Sequence, residues 1–123
     1  MIDHLGINCT DLSRAGEFYD RILAVLGHRR IMEFDGAVGY GTEGPDFWIS
    51  TFEGIGPNRE IHLAFQARDA ATVRAWYAEA IAAGAESLHE PRLWPEYHAA
   101  YFGAFVRDTE GNNIEACCHT GDS

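Results

Sequence analysis

Residues Gly103 to Cys118 read GAFVRDTEGNNIEACC. An apolar run, Ala104 to Val106, enters the turn-forming cluster Asp108-Thr109-Glu110-Gly111-Asn112-Asn113. The chain then resumes as Ile114-Glu115-Ala116-Cys117, so the stretch predicts strand, turn, strand. Glu115 is the exception in it. A carboxylate inside an apolar strand is costly to bury unless it is paired, hydrogen-bonded or bound to a metal. A lone Glu on an alternating strand simply faces water, and two further observations point away from that plain reading.

The first observation is that the stretch occurs twice. Laid over Gly36 to Ser50 (GAVGYGTEGPDFWIS) at a constant spacing of 67 residues, Gly36-Ala37 falls on Gly103-Ala104 and Thr42-Glu43-Gly44 on Thr109-Glu110-Gly111. Trp48 then falls on Glu115. The second is another matched pair at a spacing of 58 residues: His4-Leu5 on His62-Leu63, Asp11 on Asp69, and Phe18-Tyr19 on Trp76-Tyr77. Two ordered sets of matches argue for an internal duplication. They make His4 and His62 equivalent positions and put the second copy's additional residues between Tyr77 and Gly103.

Length and composition agree with one domain built of two half-size units. The chain has 123 residues, 46% hydrophobic and 23% charged, which is an ordinary globular composition. A net charge of -10, with nine Arg spread through the chain, only Arg29 and Arg30 adjacent, and no Lys, argues against the basic face that a nucleic-acid backbone needs. No apolar run reaches the length of a membrane helix and no leader pattern precedes the first strand, so a soluble, cytoplasmic protein is expected. Cys9, Cys117 and Cys118 lack a C-x-x-C spacing, and adjacent residues of one strand point to opposite faces. They are expected to be reduced fillers.

Each copy reads strand, helix, strand, strand, strand. Ile2 to Cys9 alternates as a strand, and Asp11 or Ser13 caps a helix whose inner face is Ala15, Phe18, Tyr19, Ile22, Leu23 and Leu26, ended at Gly27. Strands follow at about 28–34, 36–40 and 46–52. After a linker at 54–59 the second copy opens with a strand over 60–67. Asp69 then caps a helix with inner residues Val73, Trp76, Tyr77, Ala80 and Ile81, stopped at Gly84. A strand over 85–89 leads into the segment 90–101, which holds Pro91, Trp94, Pro95, Tyr97 and His98. A long loop of this kind either borders a site or docks its Trp on the core. Gly39-Tyr40-Gly41-Thr42-Glu43-Gly44 matches a dinucleotide fingerprint by letter only, because Pro45 and a β-type run follow it where a helix is required.

The expected fold is therefore α+β, with modules at about 1–53 and 60–119 forming a curved eight-stranded mixed sheet around a central cleft. Symmetric folding of the duplication brings His4, His62 and Glu115 together, with Trp48 standing where a fourth ligand would be. Two imidazoles and one carboxylate suit a divalent transition metal and leave coordination positions open. The candidate ions are iron, manganese, nickel and zinc.

The stretches IDHLGINCTDLSRAGEFYDRIL, EIHLAFQARD and YFGAFVRDTEGNNIEACCH together resemble the vicinal oxygen chelate superfamily, which includes glyoxalase I, bleomycin and fosfomycin resistance proteins and extradiol dioxygenases. The resemblance implies paired βαβββ modules curved around a metal, usually in a homodimer, and puts His4, His62 and Glu115 at ligand positions. It departs at Trp48, where glyoxalase I carries a metal-binding glutamate used in proton transfer, so lactoylglutathione lyase activity is not implied. The expectation is an enzyme acting on a small oxygen-bearing substrate that chelates the ion, with His98 or Tyr101 as acid-base partner. Trp48, Ser50, Trp94 and Tyr97 are expected to border the substrate. The alternative is a drug-sequestering protein without chemistry, using Trp48, Trp94 and Tyr97 for stacking.

Overall fold

Two aspartates set the two helices. In the computed structural model, which describes all 123 residues, the Asp11 carboxylate accepts from the Arg14 amide at 3.1 Å, and that of Asp69 accepts from the Thr72 amide at 2.8 Å. Each satisfies one of the amides that a helix start leaves unpaired. The helices are α1, Leu12–Val25, and α2, Ala70–Ala82, ending just before Gly27 and Gly84 as expected. Around them the strands are β1 Leu5–Asn8, β2 Arg29–Phe34, β3 Ala37–Gly41, β4 Pro45–Ser50, β5 His62–Gln66, β6 Ser87–Leu93, β7 Phe102–Arg107 and β8 Asn113–Cys118.

The eight expected strands form two four-stranded sheets, in the orders β1-β4-β3-β2 and β5-β8-β7-β6. Each has one parallel pair, β1 with β4 and β5 with β8, and is otherwise antiparallel. The identical order is the duplication made visible: the first and last strands of each βαβββ module lie side by side.

One face of each sheet supplies the core. Ile7, Phe47 and Ile49 of the first sheet and Val106, Ile114 and Ala116 of the second join Phe18, Tyr19, Ile22, Leu23, Val73 and Trp76 of the helices in a single buried cluster. Trp76 and Val73 are wholly buried; removing a Trp side chain of this kind costs roughly 3–5 kcal/mol. Ile81, expected inside, is 38% exposed, because Ala80 takes the buried position in that turn of α2. All three cysteines are buried and free.

Three element boundaries differ from the sequence reading. β1 begins at Leu5, so His4 lies just outside it. The linker between the last strand of the first module and the first of the second is longer than expected, running from Thr51 to Ile61. β6 continues through Pro91 to Leu93, because irregular register between Ser87 and His89 and between His89 and Arg92 accommodates the proline on a sheet edge. The connecting segment before β7 is therefore 94–101.

The turn between β7 and β8 is tied into the molecule by buried polar groups. Asp108 accepts from the amides of Glu110 and Asn112, both at 2.9 Å, from the Asn112 side chain and from the hydroxyl of Tyr19 at 2.6 Å. Asn112 in turn accepts from the Ile61 amide at 3.1 Å and from Asn58 at 3.0 Å. The turn thereby fixes the start of β5 against the start of β8.

Candidate functional site

The parallel pairing of β5 with β8 places Ala64 opposite Glu115, so His62, two residues earlier on the same face, stands diagonal to it. His62 Nε2 lies 2.9 Å from Glu115 Oε1. Leu63, Ile114 and Ala116 point the other way, into the core. Although Glu115 faces outward, it is only 2% exposed, because segment 94–101 folds over it.

Tyr101 closes that side by donating its hydroxyl to Glu115 Oε2. Gly103 makes the approach possible: a Cβ there would stand 3.1 Å from Glu115 Oε2 and 3.3 Å from a Tyr101 ring carbon. Burial, reinforced by the bond to Glu115, pushes the Tyr101 phenol well above its ordinary range. Tyr101 is thus a hydrogen-bond donor that keeps its proton. Burial also raises the Cys117 thiol, and the Glu115 charge adds to the shift.

The His62 ring makes its other contact with the Asn113 carbonyl, at 3.0 Å from Nδ1. A carbonyl only accepts, so Nδ1 carries a proton and a neutral ring presents the Nε2 lone pair to Glu115. A lone pair and a carboxylate 2.9 Å apart need a cation between them, either a proton or a metal ion. A shared proton makes the pair an imidazolium–carboxylate ion pair; the orientation of His62 from behind is one that metal-ligating histidines also commonly have.

An aromatic wall surrounds the pair. Phe105 stacks against His62 at 5.8 Å, and Trp94 meets Phe105 edge-on at 5.1 Å. Trp94 is anchored by its indole N–H to the Gly103 carbonyl at 3.0 Å and by the Arg92 guanidinium 3.4 Å above its ring. Tyr97, largely exposed, stacks on Trp94. His98 turns to His119, with 2.8 Å between its Nε2 and His119 Nδ1, and stands edge-on to Tyr101.

The remaining expected residues sit on the other sheet. His4 is exposed and its Nδ1 is 2.6 Å from Asp3. Trp48 lies flat against Gly39, where an added Cβ would come within 2.9 Å of two indole carbons. Phe34 stacks on that indole at 6.1 Å with 14° between the planes, and is itself 62% exposed. Ser50 donates to Asn8. Within one chain His62, Glu115, Tyr101, Trp94, Tyr97 and His98 are gathered on one sheet and His4, Trp48 and Ser50 on the other. No three His, Cys, Asp or Glu side chains of the chain form a group able to hold an ion. Three surface cavities, of about 770, 620 and 360 Å³, are lined by none of His62, Tyr101 and Glu115.

Phe34 and Phe105 were not among the residues singled out from sequence. Phe34 shares strand parity with Met32, which pairs with Gly39, and Gly39 pairs with Trp48, a register that only the structure shows. The Asn113 carbonyl that orients His62 carries no sequence signal.

Residues 4–117 match the family model of the glyoxalase-like domain. In overall structure the chain is similar to a glyoxalase/bleomycin resistance protein from Albidiferax ferrireducens T118, at 26% identity and a TM-score of 0.84, covering 94% of this chain and 97% of that one. It is also similar to a glyoxalase/bleomycin resistance protein/dioxygenase family enzyme from Burkholderia phytofirmans PsJN, at 18% identity and TM-score 0.76, over 96% and 98% of the two chains. A lactoylglutathione lyase from Agrobacterium tumefaciens shares the fold at 20% identity and TM-score 0.73, over 98% and 94%. No curated protein sequence matches the chain significantly.

Proposed function

Because the chain belongs to the glyoxalase-like domain family, we propose that it is a metal-dependent enzyme acting on a small oxygen-bearing substrate, with His62 and Glu115 as two ligands and His4 as the third. The observation that carries this reading is the pair of acceptors on the outer face of the second sheet, His62 Nε2 and Glu115 Oε1, 2.9 Å apart. An iron, manganese, nickel or zinc ion bound there supplies Lewis acidity, polarising a substrate oxygen or making bound water more acidic. The chain's own groups do the rest. The Asn113 carbonyl holds the tautomer of His62, Tyr101 holds the second oxygen of Glu115, and Phe105 and Trp94 exclude water from one side.

In this reading the third ligand comes from a second copy of the chain. What supports it is that the two modules share one core through their helix-bearing faces, while His4 on one sheet and His62 with Glu115 on the other form no three-ligand group in a single chain. A homodimer that sets the first module of one chain over the second module of its partner supplies both sets of residues. Trp48, which has no donor for a metal, then serves as apolar border, with Ser50 and Tyr97 beside the substrate.

The test mixes two inactive variants. His4→Ala and His62→Ala should each lose one equivalent of bound metal per site. After the two are unfolded and refolded together, roughly a quarter of the parent's sites should return, because half of the dimers are mixed and each mixed dimer has one intact site. A parent that binds metal with no recovery in the mixture sinks the shared site; a parent that binds none sinks the metal.

One observation favours a second reading, a sequestering protein that binds without chemistry. The Phe34–Trp48 stack offers a large exposed aromatic surface at the place where a ligand carboxylate is missing. A planar drug-like ligand bound equally well before and after chelator treatment supports this reading over the enzyme.

A further inference from the structure

His98 uses both ring nitrogens. The amide of Ala100, which can only donate, lies 3.1 Å from Nδ1, so Nδ1 accepts and a neutral His98 carries its proton on Nε2. That proton points to Nδ1 of His119, 2.8 Å away. His119 therefore accepts there and carries its own proton on Nε2. The tautomers of both rings are set by one backbone amide.

This arrangement does not admit an added proton. On His98 the proton would have to sit on Nδ1, facing the Ala100 amide. On His119 it would sit on Nδ1, facing the Nε2 proton of His98. Reversing the His98–His119 bond does not help, because His98 would then need the same Nδ1 proton. Protonating either ring breaks a hydrogen bond, whereas an ordinary imidazole pair can share the extra proton between them.

The pair fastens segment 94–101 to the end of β8. His98 belongs to the segment and His119 follows Cys118. A second tie runs from the Gly121 amide to the Ala100 carbonyl at 2.8 Å. Tyr101, three residues past His98, has its own amide bonded to the His98 carbonyl at 3.2 Å, and its ring stands edge-on to both imidazoles. We infer that His98 and His119 are positioning residues that hold the Tyr101 hydroxyl on Glu115 only while both rings are neutral. The hold is present while both rings are neutral and is lost when acid puts a proton on either of them.

The titratable groups beside the pair are Tyr97 and Tyr101 on the segment and Glu115 and Cys117 on β8. The nearby charges Glu96 and Asp122 are bound to Arg92 and Arg74. The consequence for chemistry rests on Glu115 being a ligand, as proposed above; the clasp does not, and its test uses metal-free protein.

The experiment is side-chain ¹⁵N NMR of the histidines with amide hydrogen exchange at pH 8 and pH 5, corrected for intrinsic exchange rates. At pH 8 both rings should be neutral with the proton on Nε2. The Tyr101 and Gly121 amides should exchange about tenfold faster at pH 5, as expected for loss of one hydrogen bond. His119→Asn, whose Oδ1 replaces the Nδ1 acceptor without titrating, should keep the parent's protection at pH 8 and, because His98 still takes up a proton, show the faster rate at pH 5. His98→Ala should show the faster rate at both. A proton on His98 Nδ1 at pH 8, equal protection at the two pH values in the parent, or full protection in His98→Ala would each overturn the inference.

Discussion

Asn112 accepts from the backbone amide of Ile61 at 3.1 Å, one residue before the histidine that meets Glu115. The wholly buried amide of Asn112 also accepts from Asn58 and donates to Asp108. Its removal leaves Asp108 with Tyr19 as its one side-chain donor and the Ile61 amide without an acceptor. Asn112→Ala should therefore lower stability by about 2–4 kcal/mol, the range for losing satisfied buried polar groups. Urea unfolding followed by circular dichroism measures it; a loss under about 0.5 kcal/mol, the level of an ordinary surface change, would remove the turn from the account.

Gly39 and Trp48 make a second test. A methyl group on Gly39 would meet Pro45 Cβ at 2.8 Å and the indole at 2.9 Å, so Gly39→Ala must displace the ring. Overpacking of this kind costs about 1–3 kcal/mol. The displaced Trp48 should lose its stacking on Phe34, which a change in near-ultraviolet circular dichroism would report. An unchanged spectrum contradicts the flat placement of the indole.

Alkaline stability follows from burial of Cys9. Burial, with the nearby charge of Glu110 adding, raises its thiol from the ordinary 9.0 to about 11. Below pH 9 both folded and unfolded chains keep the proton. Between 9.0 and about 11 the unfolded chain releases it more readily, so stability should fall across that window and its Cys9 contribution should level off above it. Buried Tyr40 is also shifted upward, mainly by burial and then by Asp20. Denaturant midpoints from pH 7 to 11 in the parent and Cys9→Ala give the Cys9 part; equal slopes in the two proteins from 9 to 11 would contradict it.

Tyr101→Phe removes the donor to Glu115 Oε2 and leaves a nearly buried carboxylate oxygen without it. If Glu115 is a ligand, metal affinity should drop about 10–100-fold, the usual cost of losing a hydrogen bond to a ligand. Calorimetric titration would show it, and an unchanged affinity would place the ion elsewhere.

The modules were legible because the duplication aligned with itself. Asp11 with Asp69 gave the helix starts, and the repeated Gly-Ala and Thr-Glu-Gly gave the last strands and thus the diagonal of His62 and Glu115. What was not legible depended on contacts remote in sequence. Nothing in the run 90–101 tells that Pro91 is absorbed by irregular pairing on an edge, or that His98 turns to His119. The symmetry that equated His4 with His62 was sound for position in the modules, yet the two sheets are joined through their helix faces, so equivalence did not bring the two imidazoles into one group within a chain.

The most direct test of the central claim is titration of chelator-treated protein with iron(II), manganese, nickel and zinc, in the parent and in His62→Ala, with folding checked by circular dichroism. The account predicts one tightly bound equivalent per chain of at least one of these ions in the parent, and none in a folded His62→Ala variant. A parent that binds none, or a variant that binds as tightly as the parent, would contradict it.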